Sequence, residues 1–473
     1  MTVEEIDKNK KKLLIEAFTK TVKSFFPRLG KWVKKIKDPR YIKKAYYHRS
    51  VMFWAGVFLF LFQLKSSRNI NYKLNDTQNF LINFKSLFPL LEVVEYPDKP
   101  INRLPDYGAL IDLLMKLSHL QLEKVQVKIV KRILRKRVLE ASRLLNKYYL
   151  IAIDGTKVLT FKQKHCEHCL RKKVGEDESG EPIYSYYHYV LAVKLVTPPS
   201  HGNFAIPIIT EFVENESQDV DIQDCEVKAF YRLAPRLKQY FPKTRFCLLL
   251  DSLYAKEPVF SMIKKFKWQF IIRLKKGSMP AFYREYQEYL PIYPHNRTHY
   301  TKDYKTTQRF QWVNDIEYDN GKSKTIHQLH VLECFETTIK NKKGDKIERR
   351  FLWLSSIRVS KKNCEELSNK GGRCRWKIEN QGFKSQKKEG YELGHAYSED
   401  CNAIKCFYHL LQVAHTINQL IEKGCLVRNI ARVYGSKKNY YEKFLNAFTE
   451  YVIDSQFVEQ IINSSFQIRL DSS

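Results

Sequence analysis

The sequence lacks an apolar run long enough to cross a lipid bilayer, which takes about 18 or more residues. Its longest apolar stretch, residues 51–64, has fourteen positions, and one of them is Gln63. We therefore expect a helix buried in the protein core, with a membrane anchor as the alternative. Residues 1–5 show no charged-then-apolar export pattern, so we expect a cytoplasmic protein.

A regular disulfide framework is also missing, because the ten cysteines are irregularly spaced. Only Cys166 and Cys169 have the two-residue gap of a zinc knuckle, and His165 and His168 lie beside them. A structural zinc site needs a second ligand pair, and none follows nearby; Cys225 is a remote candidate. We expect a reduced, non-ligating cysteine pair, with zinc as the alternative.

Acidic residues are in short supply. The chain has 82 Lys and Arg against 51 Asp and Glu, a net charge of +31. Such an excess favours a polyanionic partner, which is nucleic acid in the first place and an anionic membrane surface in the second. Aromatic residues make up 14% of the chain, which excludes a disordered protein.

The apolar patterns divide the chain into five regions. Strand-like runs alternate with helical patterns in the middle of the chain, which predicts an α/β fold with a mixed sheet flanked by helices. The regions are a helical, basic N-terminal region (1–145), the first part of an α/β domain (146–289), a β-rich insertion (290–357), its second part (358–425) and a helical tail (426–473).

Residues 105–147 have helical periodicity throughout, with an apolar stripe and a basic face. Lys128, Arg132 and Arg135 lie on the basic face. The pattern fits a solvated helix surface and a DNA-binding surface equally well.

Three acidic residues follow a pattern typical of a metal-dependent enzyme. Asp154 follows the apolar run 148–153, and Asp251 follows the apolar run 246–250. The carboxyl ends of neighbouring strands open onto one edge of an α/β sheet, where ligands collect. Glu379 lies in a stretch with helical periodicity that can reach the same edge. Carboxylates are the ligands that Mg²⁺ prefers.

Each acid alone has an ordinary structural explanation. Asp154 fits an Asp-Gly turn, Asp251 fits a helix N-cap, and Glu379 is spaced to pair with Arg375 on a helix surface. Together, in this order on a basic chain, they favour catalysis.

These residues resemble the catalytic triad of the DDE transposases of bacterial insertion sequences, which share a ribonuclease H-like domain. In that family the first acid ends the first strand, the second ends the fourth strand, and the third lies on a later helix. Asp154, Asp251 and Glu379 match these placements. The 128 residues between Asp251 and Glu379 leave room for the β-rich insertion of one subgroup.

That subgroup carries a Tyr-Arg-Glu-Lys signature around the third acid. Arg375 and Glu379 fit its spacing, whereas Gly372 stands at the Tyr position and Gln386 at the Lys position. Basic residues nevertheless lie close by, at Lys384 and Lys387. The resemblance assigns DNA contacts to Arg375, Lys384 and Lys387.

The resemblance implies a DNA transposase with two Mg²⁺ or Mn²⁺ ions held by Asp154, Asp251 and Glu379. It would bind the terminal inverted repeats of its element, cut there, and join the ends to target DNA, as a homodimer in the DNA complex associated with the nucleoid. Two alternatives remain: a nuclease of the same fold without strand transfer, and a catalytically inactive DNA-binding relative.

Overall fold

The computed structural model describes residues 3–216, 222–319, 321, 325–340, 345–427 and 434–470. It is a mixed α/β structure in which helices flank one large sheet. Ten strands form the sheet: β1 Tyr149–Phe161, β2 Leu170–Glu176, β3 Pro182–Val196, β4 Ala205–Val213, β5 Phe246–Leu250, β6 Gln269–Arg273, β7 Arg297–Asp303, β8 Thr306–Tyr318, β9 His327–Ile339 and β10 Lys346–Ser355.

The helices before and between the strands are α1 Val3–Phe25, α2 Leu29–Val33, α3 Arg49–Leu61, α4 Gln78–Ser86, α5 Phe88–Leu91, α6 Tyr107–Lys116, α7 His119–Arg135, α8 Glu226–Tyr240, α9 Glu257–Lys265 and α10 Pro280–Tyr289. Those after the last strand are α11 Cys401–Glu422, α12 Lys437–Glu450 and α13 Ser455–Asn463. Shorter 3-10 turns cover Ile42–Lys44, Glu140–Ser142, Pro199–His201 and Ser252–Tyr254, and a π turn covers Ile70–Asn75.

Between β10 and α11, residues 364–388 form a run of short helical turns, here called the segmented helix. It passes through α-helix at Cys364–Glu366, π-helix at Leu367–Gly371, 3-10 helix at Gly372–Trp376, π-helix at Ile378–Lys384 and α-helix at Ser385–Lys388. The sequence predicts helix from 361 to 425, and residues 389–400 depart from it because they form turns and bends.

The strand order is β2-β3-β1-β5-β6-β10-β9-β8-β7, and β4 pairs with the outer side of β3. β3 runs antiparallel to both β1 and β4, whereas β5 is parallel to β1 and β6 is parallel to β5. The predicted β-rich insertion forms β7 to β10, and β10 pairs with β6. These strands therefore extend the same sheet.

The two faces of the sheet are covered by different helices. Helices α7, α8 and α11 pack on β4, and α9 packs on β6. The segmented helix packs against β1, β3, β4, β5 and β6, with Cys374 and Ile378 buried in a core cluster that also contains Leu150 and Leu249. The sheet is thus the middle layer between two helical layers.

Helix α3 is the predicted buried helix of residues 51–64. Its residues Ser50–Leu61 are buried, and it packs against α11. Trp54 and Phe58 join an aromatic cluster that includes Phe444 and Phe448 of α12. Among the described residues, no helix is long and apolar enough to cross a membrane.

The predicted continuous helix over residues 105–147 is wrong in two places. Leu117 is extended and separates α6 from α7. Helix α7 then ends at Arg135, and the chain turns through positive φ angles at Arg137, Leu145 and Asn146, which are incompatible with a continuing right-handed helix.

The sequence also shows a helical pattern over about 219–240, of which α8 forms the described part. Residues 219–221 lie outside the described part of the chain, as do 428–433 and 471–473 of the predicted helical tail.

Candidate active site

Two of the three acids follow the paired part of two parallel strands. The register of β1 and β5 runs from Tyr149 opposite Phe246 to Ala152 opposite Leu249. Asp154 comes two residues after Ala152, and Asp251 comes two residues after Leu249, just past the end of β5 at Leu250. Asp154 does not end its strand, because β1 continues to Phe161 in pairing with β3. It lies where β1 loses its pairing with β5, and the sheet edge opens there.

Asp154 faces the side of the sheet that the segmented helix covers. Side chains alternate along a strand, and Ala152, two residues before Asp154, belongs to the core cluster beneath that helix. Glu379 projects from the same helix, next to buried Ile378. Asp154 and Glu379 are therefore on one face of the sheet, and Asp251 follows the neighbouring strand β5.

Arg375 connects two of the acids. Its Nη1 lies 3.3 Å from Asp154 Oδ2, and its Nη2 lies 2.7 Å from Glu379 Oε1. The Asp154 side chain is only 20% exposed, and the Glu379 side chain is 48% exposed. Burial raises the pKa of Asp154 to about 7 despite the opposing charge of Arg375, and the charges of Glu379 and Glu226 add to the rise. A metal ion held by Asp154 and Glu379 would require Arg375 to move aside.

Asp251 also has a local role. Its Oδ1 accepts a hydrogen bond of 2.8 Å from the backbone N–H of Leu253, so it caps the turn Ser252–Tyr254. The charges of Glu226, Asp154 and Asp251 act with burial to raise the pKa of Tyr254. The Tyr254 hydroxyl therefore lies in the electric field of the Glu226, Asp154 and Asp251 carboxylates.

Glu226 is a fourth acid at this site. The sequence favours a first-turn acid that complements a helix dipole, and Glu226 is indeed the first residue of α8. Its carboxylate accepts hydrogen bonds from the hydroxyls of Tyr189 at 2.5 Å and Tyr254 at 3.2 Å. A Cβ on Gly155 would lie 2.4 Å from the Tyr189 hydroxyl, so glycine is required for this packing. The apolar runs that predict β1 and β5 do not indicate that Glu226, on α8, lies near Asp154.

Lys387, rather than Gln386, reaches the site. Its Nζ donates a 2.7 Å hydrogen bond to Thr156 Oγ1, two residues from Asp154. Gln386 is buried, where it accepts from Lys194 and contacts His415. The π-helix over Ile378–Lys384 has a wider turn than an α-helix, and this shifts the helical register after Glu379 by about one residue. Lys384 is exposed.

No larger side chain fits at Gly372, the position of the subgroup's tyrosine. A Cβ there would lie 2.2 Å from Nε1 of Trp353. The indole of Trp353 therefore takes the space next to the segmented helix.

An arginine-rich cavity of about 380 Å³ lies beside the triad. Trp376 lines this cavity and is 46% exposed, whereas Trp268 is buried elsewhere in the core. The guanidinium of Arg273 lies 5.7 Å from the Trp376 ring centroid. The charged residues that line the cavity are Arg273, Arg349, Arg373, Arg375 and Lys377.

A basic groove of about 680 Å³ lies between α2 and α7 and is lined by residues on and next to both helices. It contains all three cations predicted on the basic face of the helix, and none of its lining residues is acidic. Its basic residues are Arg28, Lys31, Lys35, Lys128, Lys131, Arg132 and Arg135. A second basic cavity shares Lys131 and Arg135 with it and continues to Arg143, Lys147 and Arg245.

Within the described part of the chain, the three acids do not meet around one point as metal ligands. Among the described residues, the potential metal ligands whose ligand atoms all lie within 4.8 Å of one another are His165, Cys166, His188 and Cys401. Cys225, the suggested remote partner of Cys166, is exposed and outside the cysteine and histidine group.

No protein-family model matches this chain, and a search of the curated proteins finds no match.

Proposed function

We propose that the chain is a DDE-type DNA transposase with a ribonuclease H-like catalytic domain. The observation that carries the proposal is that Asp154 and Glu379 both pair with Arg375, while Asp251 directly follows β5, the strand next to Asp154 in β1. If the hairpin strand β2 is left out, β5 is the fourth strand of the sheet in chain order, which agrees with the placement of the second acid in that family.

In this proposal Asp154, Asp251 and Glu379 would hold Mg²⁺ or Mn²⁺, and the ions would activate the attacking oxygen and stabilise the leaving one. In the cleavage step, water would attack the phosphorus and displace the 3′-oxygen of the DNA end, which leaves as a 3′-hydroxyl. In the joining step, that 3′-hydroxyl would attack a phosphodiester of the target DNA and displace the target's own 3′-oxygen. Arg375 is close enough to contact the phosphate once it leaves the carboxylates.

The basic surfaces support DNA as the partner. Seven cations line the groove between α2 and α7. Near the triad, exposed Trp376 lies among arginines, and aromatic rings and arginines together bind nucleic-acid strands. The proposal extends to terminal inverted repeats, target DNA and a dimer of the chain in the DNA complex.

Incubation of the purified chain with DNA that carries the borders of its element, in the presence of Mg²⁺, tests the proposal. We expect breaks at the borders and, with pre-cut ends, joined products. Breaks without joined products would favour the nuclease. DNA binding with unchanged biological activity in Asp154→Ala would favour a non-catalytic DNA-binding protein.

A further inference from the structure

A second cluster of metal-ligand residues lies where the loop after β1 meets β3 and the start of α11, and the proposed function does not use it. Cys166 Sγ lies 3.6 Å from Cys169 Sγ and 3.6 Å from His188 Nε2. Cys169 Sγ lies 3.7 Å from the same His188 nitrogen. His165 Nδ1 lies 3.5 Å from His188 Nε2, and the Cys401 thiol completes the group.

These distances match the edges of a zinc tetrahedron. Zn–S bonds of about 2.3 Å and Zn–N bonds of about 2.0–2.1 Å at tetrahedral angles place two sulfurs about 3.8 Å apart, and a sulfur and a nitrogen about 3.6 Å apart. The triangle of Cys166, Cys169 and His188 has edges of 3.6, 3.6 and 3.7 Å. A disulfide would bring the two sulfurs to about 2.05 Å.

The second ligand pair comes from distant parts of the chain. His188 is a buried residue of β3, and Cys401 is the first residue of α11. The sequence alone gives little support for zinc, because no second pair follows Cys169 closely. Strand pairing brings His188 to β1, opposite Leu159, and the packing of α11 brings Cys401.

We propose that this cluster is a structural zinc site formed by Cys166, His188 and Cys401, with Cys169 or His165 as the fourth ligand. Thiolate and imidazole donors in tetrahedral geometry select zinc over Mg²⁺ or Ca²⁺. The ion ties the loop after β1 to β3 and to the start of α11. With four protein ligands the site is closed, so its role is structural.

The test uses the full chain, expressed with zinc and purified under reducing conditions. Elemental analysis should find equimolar zinc in the wild type and in Cys425→Ser, a control at an exposed cysteine outside the cluster. Cys166→Ser and His188→Asn should each lose it. The Co²⁺-substituted wild type should show tetrahedral d–d bands and a thiolate-to-cobalt charge-transfer band, a readout that needs no variant to fold.

The fourth ligand follows from the same spectra. Loss of charge-transfer intensity in Cys169→Ser assigns Cys169, and a changed d–d spectrum in His165→Asn with full charge-transfer intensity assigns His165. Wild-type protein with reduced thiols but without zinc, or a Co²⁺ spectrum without a thiolate band, would overturn the proposal. The result does not depend on DNA cleavage.

Discussion

At the scale of single residues, Asp154 is a largely buried carboxylate, and the positive charge of Arg375 does not offset the effect of this burial on its pKa. Burial raises its pKa to about 7, although Arg375 is 3.3 Å away. A buried carboxylate of this kind costs stability when it is charged. In the proposed function, a bound cation would offset part of this cost.

This gives a pH prediction. The pKa of Asp154 is higher in the folded chain than in the unfolded chain, so the folded chain binds the proton more tightly. In EDTA, the free energy of unfolding should therefore fall as pH rises from 4 to 7. Asp154→Asn should flatten this fall and raise the free energy of unfolding at pH 8 by about 2–4 kcal/mol. Urea denaturation at each pH measures it, with exposed Asp98→Asn as the control. Equal slopes in the wild type and Asp154→Asn would contradict the prediction.

Two adjacent lysines provide a matched pair for DNA contact. Lys387 donates to Thr156 near Asp154, whereas Lys388 is exposed. Lys387→Ala should weaken cleavage of the element's ends about tenfold or more, since a charge-assisted contact contributes about 1.5–3 kcal/mol. Lys388→Ala should change cleavage much less. Equal effects of the two substitutions on cleavage rates would show that Lys387 has no special position.

At the scale of secondary structure, the sequence predicts the strands better than the helices. Apolar runs such as 246–250 become buried strands at the expected places. The segmented helix could not be predicted, because its π and 3-10 turns depend on packing against the sheet rather than on residue spacing. The same turns explain why Lys387 lies one residue later than the signature requires.

Gly372 tests how tightly the segmented helix packs. Gly372→Ala places a Cβ 2.2 Å from Nε1 of Trp353, so the indole or the helix must shift. We expect the free energy of unfolding to fall by about 1–3 kcal/mol. Gly108→Ala is the control, because Gly108 is exposed in α6 and a Cβ there would make only an ordinary contact of 3.7 Å with Asp106 Oδ1. Alanine at this position should stabilise by about 0.5–1 kcal/mol. Unchanged stability in Gly372→Ala, measured by denaturant unfolding, would mean that this packing is loose.

At the scale of the whole molecule, composition predicted a polyanion partner but not where it binds. The fold gathers Arg28, Lys31 and Lys35 from the segment around α2 with the cations of α7 into one groove. Contacts between residues so distant in sequence cannot be derived from spacing. For the same reason, the sequence does not show that His188 and Cys401 lie near Cys166.

Charge reversal in this groove should weaken DNA binding. Lys128→Glu combined with Arg132→Glu should lower the affinity for duplex DNA and make the salt dependence shallower, because fewer counterions are released on binding. Lys264→Glu combined with Lys265→Glu, at two exposed positions of α9, is the control with the same change in net charge. Binding titrations over a range of salt concentrations measure both quantities. An unchanged salt slope in the double variant would place the DNA elsewhere on the protein.

The proposed function requires that Asp154, Asp251 and Glu379 together bind divalent cations. Anomalous diffraction from crystals of the chain with bound DNA and Mn²⁺ tests this requirement. We expect two manganese peaks, about 3.5–4 Å apart, between the three carboxylates, with Arg375 turned away from them. If manganese is absent from these carboxylates and Arg375 still pairs with Asp154 and Glu379, the proposed function is wrong.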